Sequence, residues 1–180
     1  DVKLGMWPIG ELRAAKRGDK RTGLKKGDDV FDASNLDGKL WVDLLIKKVI
    51  PAVRRKLKGA TLIKLQVDNA PGHRTSVANN SKLQALLDKP NPKIELVEQL
   101  PQSPCTNLCD LGFFNSVDST LPKLRSFKMP MFIKQIEKAF KEYPKEKLDD
   151  LCAMKTRVCV AIVENEGDNN FRLPHRKKKS

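Results

Sequence analysis

Two aspartates have side chains that could act together on a metal ion. Asp68 directly follows the run T-L-I-K-L-Q-V at 61–67, in which apolar and β-branched residues occupy both alternating faces. This pattern predicts a buried parallel strand, with Asp68 at its carboxyl end, where ligands of open α/β sheets gather. Asp110 should lie just inside a helix start that follows Ser103 and Pro104. Carboxylates placed in this way can share Mg²⁺, and two such ions can clamp the attacking and leaving oxygens of a phosphodiester.

Each aspartate also has a purely structural interpretation. An Asp that follows a strand is most often a turn former or a helix N-cap. Asp110 could simply interact favourably with the dipole of its own helix. Spacing alone leaves the metal site and the structural roles open.

The elements that must position these residues follow from hydrophobic periodicity and from turn residues. Strands are predicted at 3–9, 61–67 and 94–100. Helices are predicted at 35–58, at 75–87, after Asp110, and at 132–143 and 146–164, with Pro51 bending or splitting the first of them. Strands that alternate with helices indicate an α/β sheet. We divide the chain into a domain at 1–165 and a basic tail at 166–180.

The composition favours a polyanionic partner. The chain has 180 residues, and 35 Lys and Arg against 22 Asp and Glu give a net charge of +13. Such an excess suits nucleic acid or an acidic membrane surface. No apolar run approaches the length of a membrane span, so we expect no insertion into a membrane. The four cysteines lack the paired spacing of a zinc site or a disulfide scaffold.

Two basic segments are the candidate nucleic-acid contacts. The first is a glycine-punctuated loop at 10–29 that is either a solvated loop or a phosphate-contacting arm. The second is the tail, whose basic run is either a nuclear-import signal or a disordered end. The candidate contacts are Arg13, Lys16, Arg17, Lys20, Arg21, Lys25, Lys26, Arg176, Lys177 and Lys178.

Several motifs resemble one known family in order along nearly the whole chain. D-N-A-P-G-H at 68–73 and S-P-C-T-N-L-C-D-L-G-F-F-N-S at 103–116 resemble the catalytic core of mariner-like DNA transposases, especially the plant type. D-V-K-L-G-M-W-P-I, A-A-K-R-G-D-K-R, L-L-I-K-K-V-I-P-A-V and N-N-F-R-L-P-H are similar to further segments of that family.

The resemblance implies a ribonuclease H-like fold of the retroviral integrase type. It implies Mg²⁺- or Mn²⁺-dependent cleavage of double-stranded DNA at the terminal inverted repeats of a transposon, followed by strand transfer. The family's second and third catalytic aspartates fall on Asp68 and Asp110, which would hold the metal. Asn69 and His73 belong to the same motif and would support it, although His73 could equally be a turn residue. A homodimer and a nuclear location are further expectations.

Three departures from the family pattern qualify this expectation. The motif that carries the family's first catalytic aspartate does not occur in the sequence, and neither does the helix-turn-helix region that reads transposon ends. Cys105 stands where the family has Asp. We therefore expect a fold that is incomplete because its first strands are missing, and a chain that is inactive without the first aspartate.

Two alternatives to a transposase catalytic domain remain. The first is a degenerate or repurposed relic that binds nucleic acid without cleaving it. The second is a protein-interaction module that uses the helices after Phe132.

Overall fold

The computed structural model describes residues 3–70, 77–121, 129–168 and 171, and it has a mixed α/β architecture with two small sheets. An antiparallel hairpin pairs β1 (Gly10–Ala14) with β2 (Asp29–Ala33). A parallel pair joins β3 (Leu62–Val67) to β4 (Lys93–Glu98). The α-helices are α1 (Gly38–Leu44), α2 (Ile50–Lys56), α3 (Ser81–Leu87), α4 (Phe114–Asp118), α5 (Met129–Glu142) and α6 (Lys145–Glu164).

The first long helix changes its winding before Pro51, as the sequence predicted. Between α1 and α2 the chain forms a π-turn at Leu45–Val49, in which Ile50 N–H donates to Leu45 C=O five residues back. Pro51 has no N–H to offer the carbonyl four residues before it, so a regular α-helix cannot continue through this point. The helical stretch from α1 to α2 buries one face, and its buried residues are Val42, Leu45, Val49, Ile50, Ala52 and Val53.

The parallel pair and this helix share the first hydrophobic core. Ile94 of β4 and Leu83 and Leu87 of α3 complete the buried cluster. Arg54 of α2 also holds the loop after α3, because its guanidinium donates to four backbone carbonyls. The acceptors are Leu86 C=O at 2.7 Å, Pro92 C=O at 2.9 Å, Lys89 C=O at 3.2 Å and Pro90 C=O at 3.4 Å.

A second core lies between the last three helices. Val117 of α4, Tyr143 and Leu148 are buried together, with Phe113 packed against them. The Phe113 ring lies 4.8 Å from that of Tyr143 and 6.0 Å from that of Phe140, measured between centroids. Aromatic pairs at this spacing add to the stabilisation from burial.

The N-terminal segment connects the two cores. Lys3 Nζ donates to the carbonyls of Phe140, Lys141 and Tyr143 at 3.0, 2.7 and 3.0 Å, which caps the end of α5 with a cation. Lys56 Nζ, at the end of α2, donates to Lys3 C=O. The segment therefore links the ends of two helices that belong to different cores.

Most predicted elements are confirmed, but the strand at 3–9 and the full burial of the strand before Asp68 are wrong. Residues 3–9 form no strand, and the strand begins at Gly10, inside the predicted loop. That strand is held by cross-strand backbone pairing, including Leu12 with Phe31, so it needs no apolar run. The strand before Asp68 is parallel as predicted but is not buried on both faces, since Leu62 is 45% exposed.

Among the helices that the structure describes, none is long and apolar enough to cross a bilayer.

Candidate functional site

Asp68 lies where the sequence placed it, directly after β3. The parallel register sets Val67 beside Glu98, and Gln99 N–H donates to Val67 C=O at 2.8 Å, so both strands end at one edge. Asp68 is exposed, and its Oδ1 accepts a hydrogen bond from Ala70 N–H at 3.3 Å. This i to i+2 contact is typical of a turn-forming Asp. The turn interpretation of Asp68 therefore has an observed basis beside the metal interpretation.

Asp110 lies in the first turn of a helix, also as predicted. The helix begins at Cys109, is kinked at Gly112, where the backbone is extended in φ (φ 176°, ψ −15°), and continues as α4. Asn107 initiates it, because Asn107 Oδ1 accepts from Cys109 N–H at 3.0 Å and Asn107 C=O accepts from Leu111 N–H at 2.8 Å. Asp110 is exposed on this first turn.

A chain of side-chain amides connects the two aspartate-bearing positions. Asn69 Nδ2 donates to Gln99 C=O at 2.7 Å, and Asn107 Nδ2 donates to Gln99 Oε1 at 3.0 Å. Gln99 Nε2 in turn donates to Ser103 C=O at 3.2 Å. The residue after Asp68 is thus linked through the segment 99–107 to the start of the Asp110 helix, so Asn69 supports this edge structurally.

Gln66 and Lys155 add a second connection that the sequence did not reveal. Gln66 Nε2 donates to Thr106 C=O at 3.1 Å, and Gln66 Oε1 accepts from Lys155 Nζ at 2.6 Å. The polar pattern Q-V-D-N at 66–69 could have drawn attention to Gln66. Nothing local points to Lys155, because it reaches Gln66 from α6 across a sequence separation of 89.

The Cys109 thiol is influenced by the charges around it. Burial raises the pKa of Cys109, and the neighbouring Asp110 carboxylate raises it further. The Lys155 ammonium acts in the opposite direction and lowers that pKa. Both effects are Coulombic, so Asp110 and Lys155 lie within electrostatic range of one thiol.

A cleft of about 300 Å³ opens beside Asp68. Glu98, which the sequence analysis did not single out, contributes a second carboxylate to it. Apolar and aromatic side chains form much of the remaining wall. The lining residues are Trp41, Val67, Asp68, Val77, Ala78, Gln84, Leu96 and Glu98.

The resemblance implies a site for a hard divalent ion at Asp68 and Asp110. Mg²⁺ takes one or two protein carboxylates and fills its other positions with water and phosphate oxygens. The resemblance predicts that Asp68 and Asp110 supply those carboxylates, and of the two, Asp68 lines the cleft. Across residues 3–70, 77–121, 129–168 and 171, no group of three or more His, Cys, Asp or Glu residues is placed to hold a metal. His73 lies outside the described residues.

The basic loop is a structured hairpin end. An isolated antiparallel bridge joins Asp19 to Leu24, and Ala15 N–H donates to Asp28 C=O at 2.8 Å. The carboxylates of Asp19 and Asp28 accept from the backbone N–H groups of Arg21 and Lys25, each at 2.9 Å. These contacts hold the loop in shape and turn its acidic side chains toward the backbone.

The cations of this hairpin end are exposed, and we call them the basic tip. The basic tip consists of Lys16, Arg17, Lys20, Arg21, Lys25 and Lys26. Arg13 differs, because it lies on β1 and pairs with Asp32 of β2, where Arg13 Nη2 donates to Asp32 Oδ1 at 3.2 Å. Arg176, Lys177 and Lys178 lie outside the described residues.

Comparison with protein-family models, curated proteins and solved structures finds no significant match to this chain.

Proposed function

We propose that the chain is part of the catalytic domain of a mariner-like transposase with a ribonuclease H-like fold. One observation carries this proposal: hydrogen bonds connect the end of β3 at Asn69 to the start of the Asp110 helix at Cys109. A parallel strand end and a helix start are the positions that the motif resemblance assigns to two catalytic aspartates. The substrate would be double-stranded DNA at the terminal inverted repeats of a transposon, bound by a homodimer in the nucleus.

Each part of the site has a defined task in this proposal. Asp68 and Asp110 would hold Mg²⁺ or Mn²⁺, which when bound stabilises the charge on the attacking and leaving oxygens of a phosphodiester. Asn69 holds the strand end against Gln99, and Asn107 orients the helix that carries Asp110. The basic tip contacts backbone phosphates, which positions the duplex without reading its sequence.

Catalysis of this kind needs a third carboxylate. The family's first aspartate motif does not occur in this sequence, so we expect no DNA cleavage from the chain alone. Cleavage is expected only from a longer polypeptide that supplies the missing carboxylate.

The test uses such a longer polypeptide and substitutes each aspartate in turn. Asp68→Ala and Asp110→Ala should each abolish Mn²⁺-dependent cleavage of a transposon-end duplex and leave DNA binding within about twofold, because the basic tip is untouched. Asp88→Ala, which removes an exposed carboxylate after α3, is the matched control and should cleave normally. Cleavage that survives Asp68→Ala or Asp110→Ala would refute the catalytic role.

A second candidate function is nucleic-acid binding without cleavage by a repurposed relic. The exposed basic tip favours it, since those cations can neutralise phosphates whether or not a metal binds. Cys105 favours it as well, because a partly buried thiol stands in the turn Pro104–Thr106 where the family has a carboxylate.

A further inference from the structure

Lys155 reaches the strand before Asp68 from a distant part of the chain. It lies in the middle of α6 and is partly buried, and its ammonium donates to Gln66 Oε1 at 2.6 Å. Gln66 lies in β3, two residues before Asp68. The lysine therefore joins the last long helix to the strand that ends at Asp68.

Gln66 relays this contact to the segment that leads to Asp110. Its amide nitrogen donates to Thr106 C=O at 3.1 Å while its amide oxygen accepts from Lys155. Thr106 is buried, and its hydroxyl donates to Ser103 C=O at 2.7 Å. One glutamine thus fixes β3, the turn at Pro104–Thr106 and α6 relative to each other.

Lys145, another cation of α6, provides a comparison because it forms an ordinary surface ion pair. Lys145 is 64% exposed and pairs with Asp149 one turn along the same helix. Exposed pairs of this kind contribute little to stability. Lys155 instead donates from its ammonium to the neutral side-chain amide of Gln66 on another element. A hydrogen bond with an ionised donor is stronger than one between neutral groups.

We propose that Lys155 is a positioning residue, which acts through Gln66 to hold β3, the strand before Asp68, against the turn at Pro104–Thr106 that leads to the Asp110 helix. This inference rests on the proposed function, because it concerns how the two aspartates hold their metal. Groups that orient metal ligands in this way typically contribute 10–100-fold to metal affinity.

The direction in which cation affinity changes when Lys155 is replaced distinguishes a positioning role from a purely electrostatic one. Removing a positive charge near a metal site should by itself strengthen cation binding, because the repulsion is lost. Removing a positioning contact should weaken binding. Lys155→Met, which keeps most of the side-chain volume, therefore gives opposite outcomes for the two roles.

The experiment is a Mn²⁺ titration of the ¹⁵N-labelled chain, followed by paramagnetic broadening of amide signals. In the unsubstituted chain, the signals of Asp68 and Asn69 should broaden with the same apparent Kd as those of Cys109 and Asp110. In Lys155→Met, we expect roughly tenfold weaker binding and different midpoints for the two segments. Lys145→Met is the matched control, and Lys155→Arg, which keeps the donor and the charge, should bind within about twofold.

Each outcome has a distinct meaning. No broadening at either segment of the unsubstituted chain would refute the metal site and with it the proposed function. Broadening that is unchanged or tighter in Lys155→Met would refute the positioning role and leave the metal site standing. If circular dichroism shows that Lys155→Met is unfolded, Lys155→Gln gives the same comparison with a polar side chain at that position.

Discussion

At the scale of the single residue, Cys109 reports on the charges beside it. Its thiol is neutral and its thiolate is charged, so burial and the Asp110 carboxylate both disfavour the thiolate and raise the pKa. A raised folded pKa stabilises the fold at pH values below the thiol's unfolded pKa. That contribution is lost as the pH rises through the folded pKa.

Asp110→Asn should therefore speed the alkylation of Cys109 by iodoacetamide. Removing the carboxylate lowers the pKa of Cys109, although burial keeps it above its ordinary value, and more thiolate is present at a fixed, mildly alkaline pH. We expect a rise of roughly two- to fivefold, which corresponds to less than about 1 kcal/mol of Coulomb energy. Mass spectrometry of the alkylated peptide gives the rate at each cysteine.

Asp88→Asn is the control for this measurement, because it removes an equal charge far along the chain from Cys109. Equal alkylation rates in Asp110→Asn and the unsubstituted chain would contradict the placement of Asp110 near the thiol.

Sequence patterns predicted the strand end at Asp68 and the helix start at Asp110, but not the hydrogen bonds between the neighbouring segments. A strand pattern followed by Asp-Asn and the residues of a helix start are local signals, and each was enough to predict its own element. The bond from Lys155 to Gln66 depends on how α6 packs, which no local pattern encodes.

At the scale of the element, helix caps decide where the chain changes direction. The sequence predicted one helix over 75–87, whereas residues 77–78 are helical, the chain turns at 79–80, and α3 begins at Ser81. Asn80 is the N-cap of α3, because its Oδ1 accepts a hydrogen bond from Leu83 N–H at 2.9 Å. Asn competes with helical backbone bonds through its own side chain and so favours this position.

Asn80→Ala should lower the free energy of unfolding by about 1 kcal/mol, because Leu83 N–H loses its acceptor at the helix start. The matched control is Asn79→Ala, which changes the neighbouring exposed Asn that does not cap α3. Urea unfolding followed by circular dichroism measures both variants. A loss of stability in Asn79→Ala equal to that in Asn80→Ala would show that the cap is not the cause.

The hairpin shows which elements a sequence pattern cannot recover. Apolar periodicity predicted the helices and the parallel strands, because those elements bury an apolar face. β1 and β2 are rich in charged residues, and their pairing is set by backbone bonds and by the Arg13–Asp32 pair. Because of these charged residues, the search for apolar periodicity did not predict β1.

At the scale of the whole molecule, the cations fall into two groups, those that bond to other parts of the chain and those that are exposed at the basic tip. Lys3, Lys56, Arg54 and Lys155 donate to backbone carbonyls or to an amide. The basic tip projects its cations into solvent from a loop held by backbone bonds. It is therefore the described surface to which the proposed function assigns phosphate contacts.

Replacing Lys20, Arg21 and Lys25 with Ala should weaken binding to duplex DNA and make it less sensitive to salt. The slope of log K against log salt should fall by about one for each phosphate contact removed. Fluorescence anisotropy over a range of salt concentrations measures the slope.

The matched control replaces Lys48, Arg55 and Lys58, which are exposed cations on or next to the first long helix. It removes the same net charge from another surface. An equal fall in slope for the two triple variants would mean that net charge, and not the basic tip, governs binding.

The capping of α5 by Lys3 has a consequence during protein synthesis. Lys3 and Phe140 are separated by 137 positions, and a ribosome adds roughly 5–20 residues per second. Once made, Lys3 therefore waits about 7–27 s before its partner carbonyls are translated. Through that interval the nascent chain can assemble its first core but cannot tie its leading segment to the second, so this connection forms late.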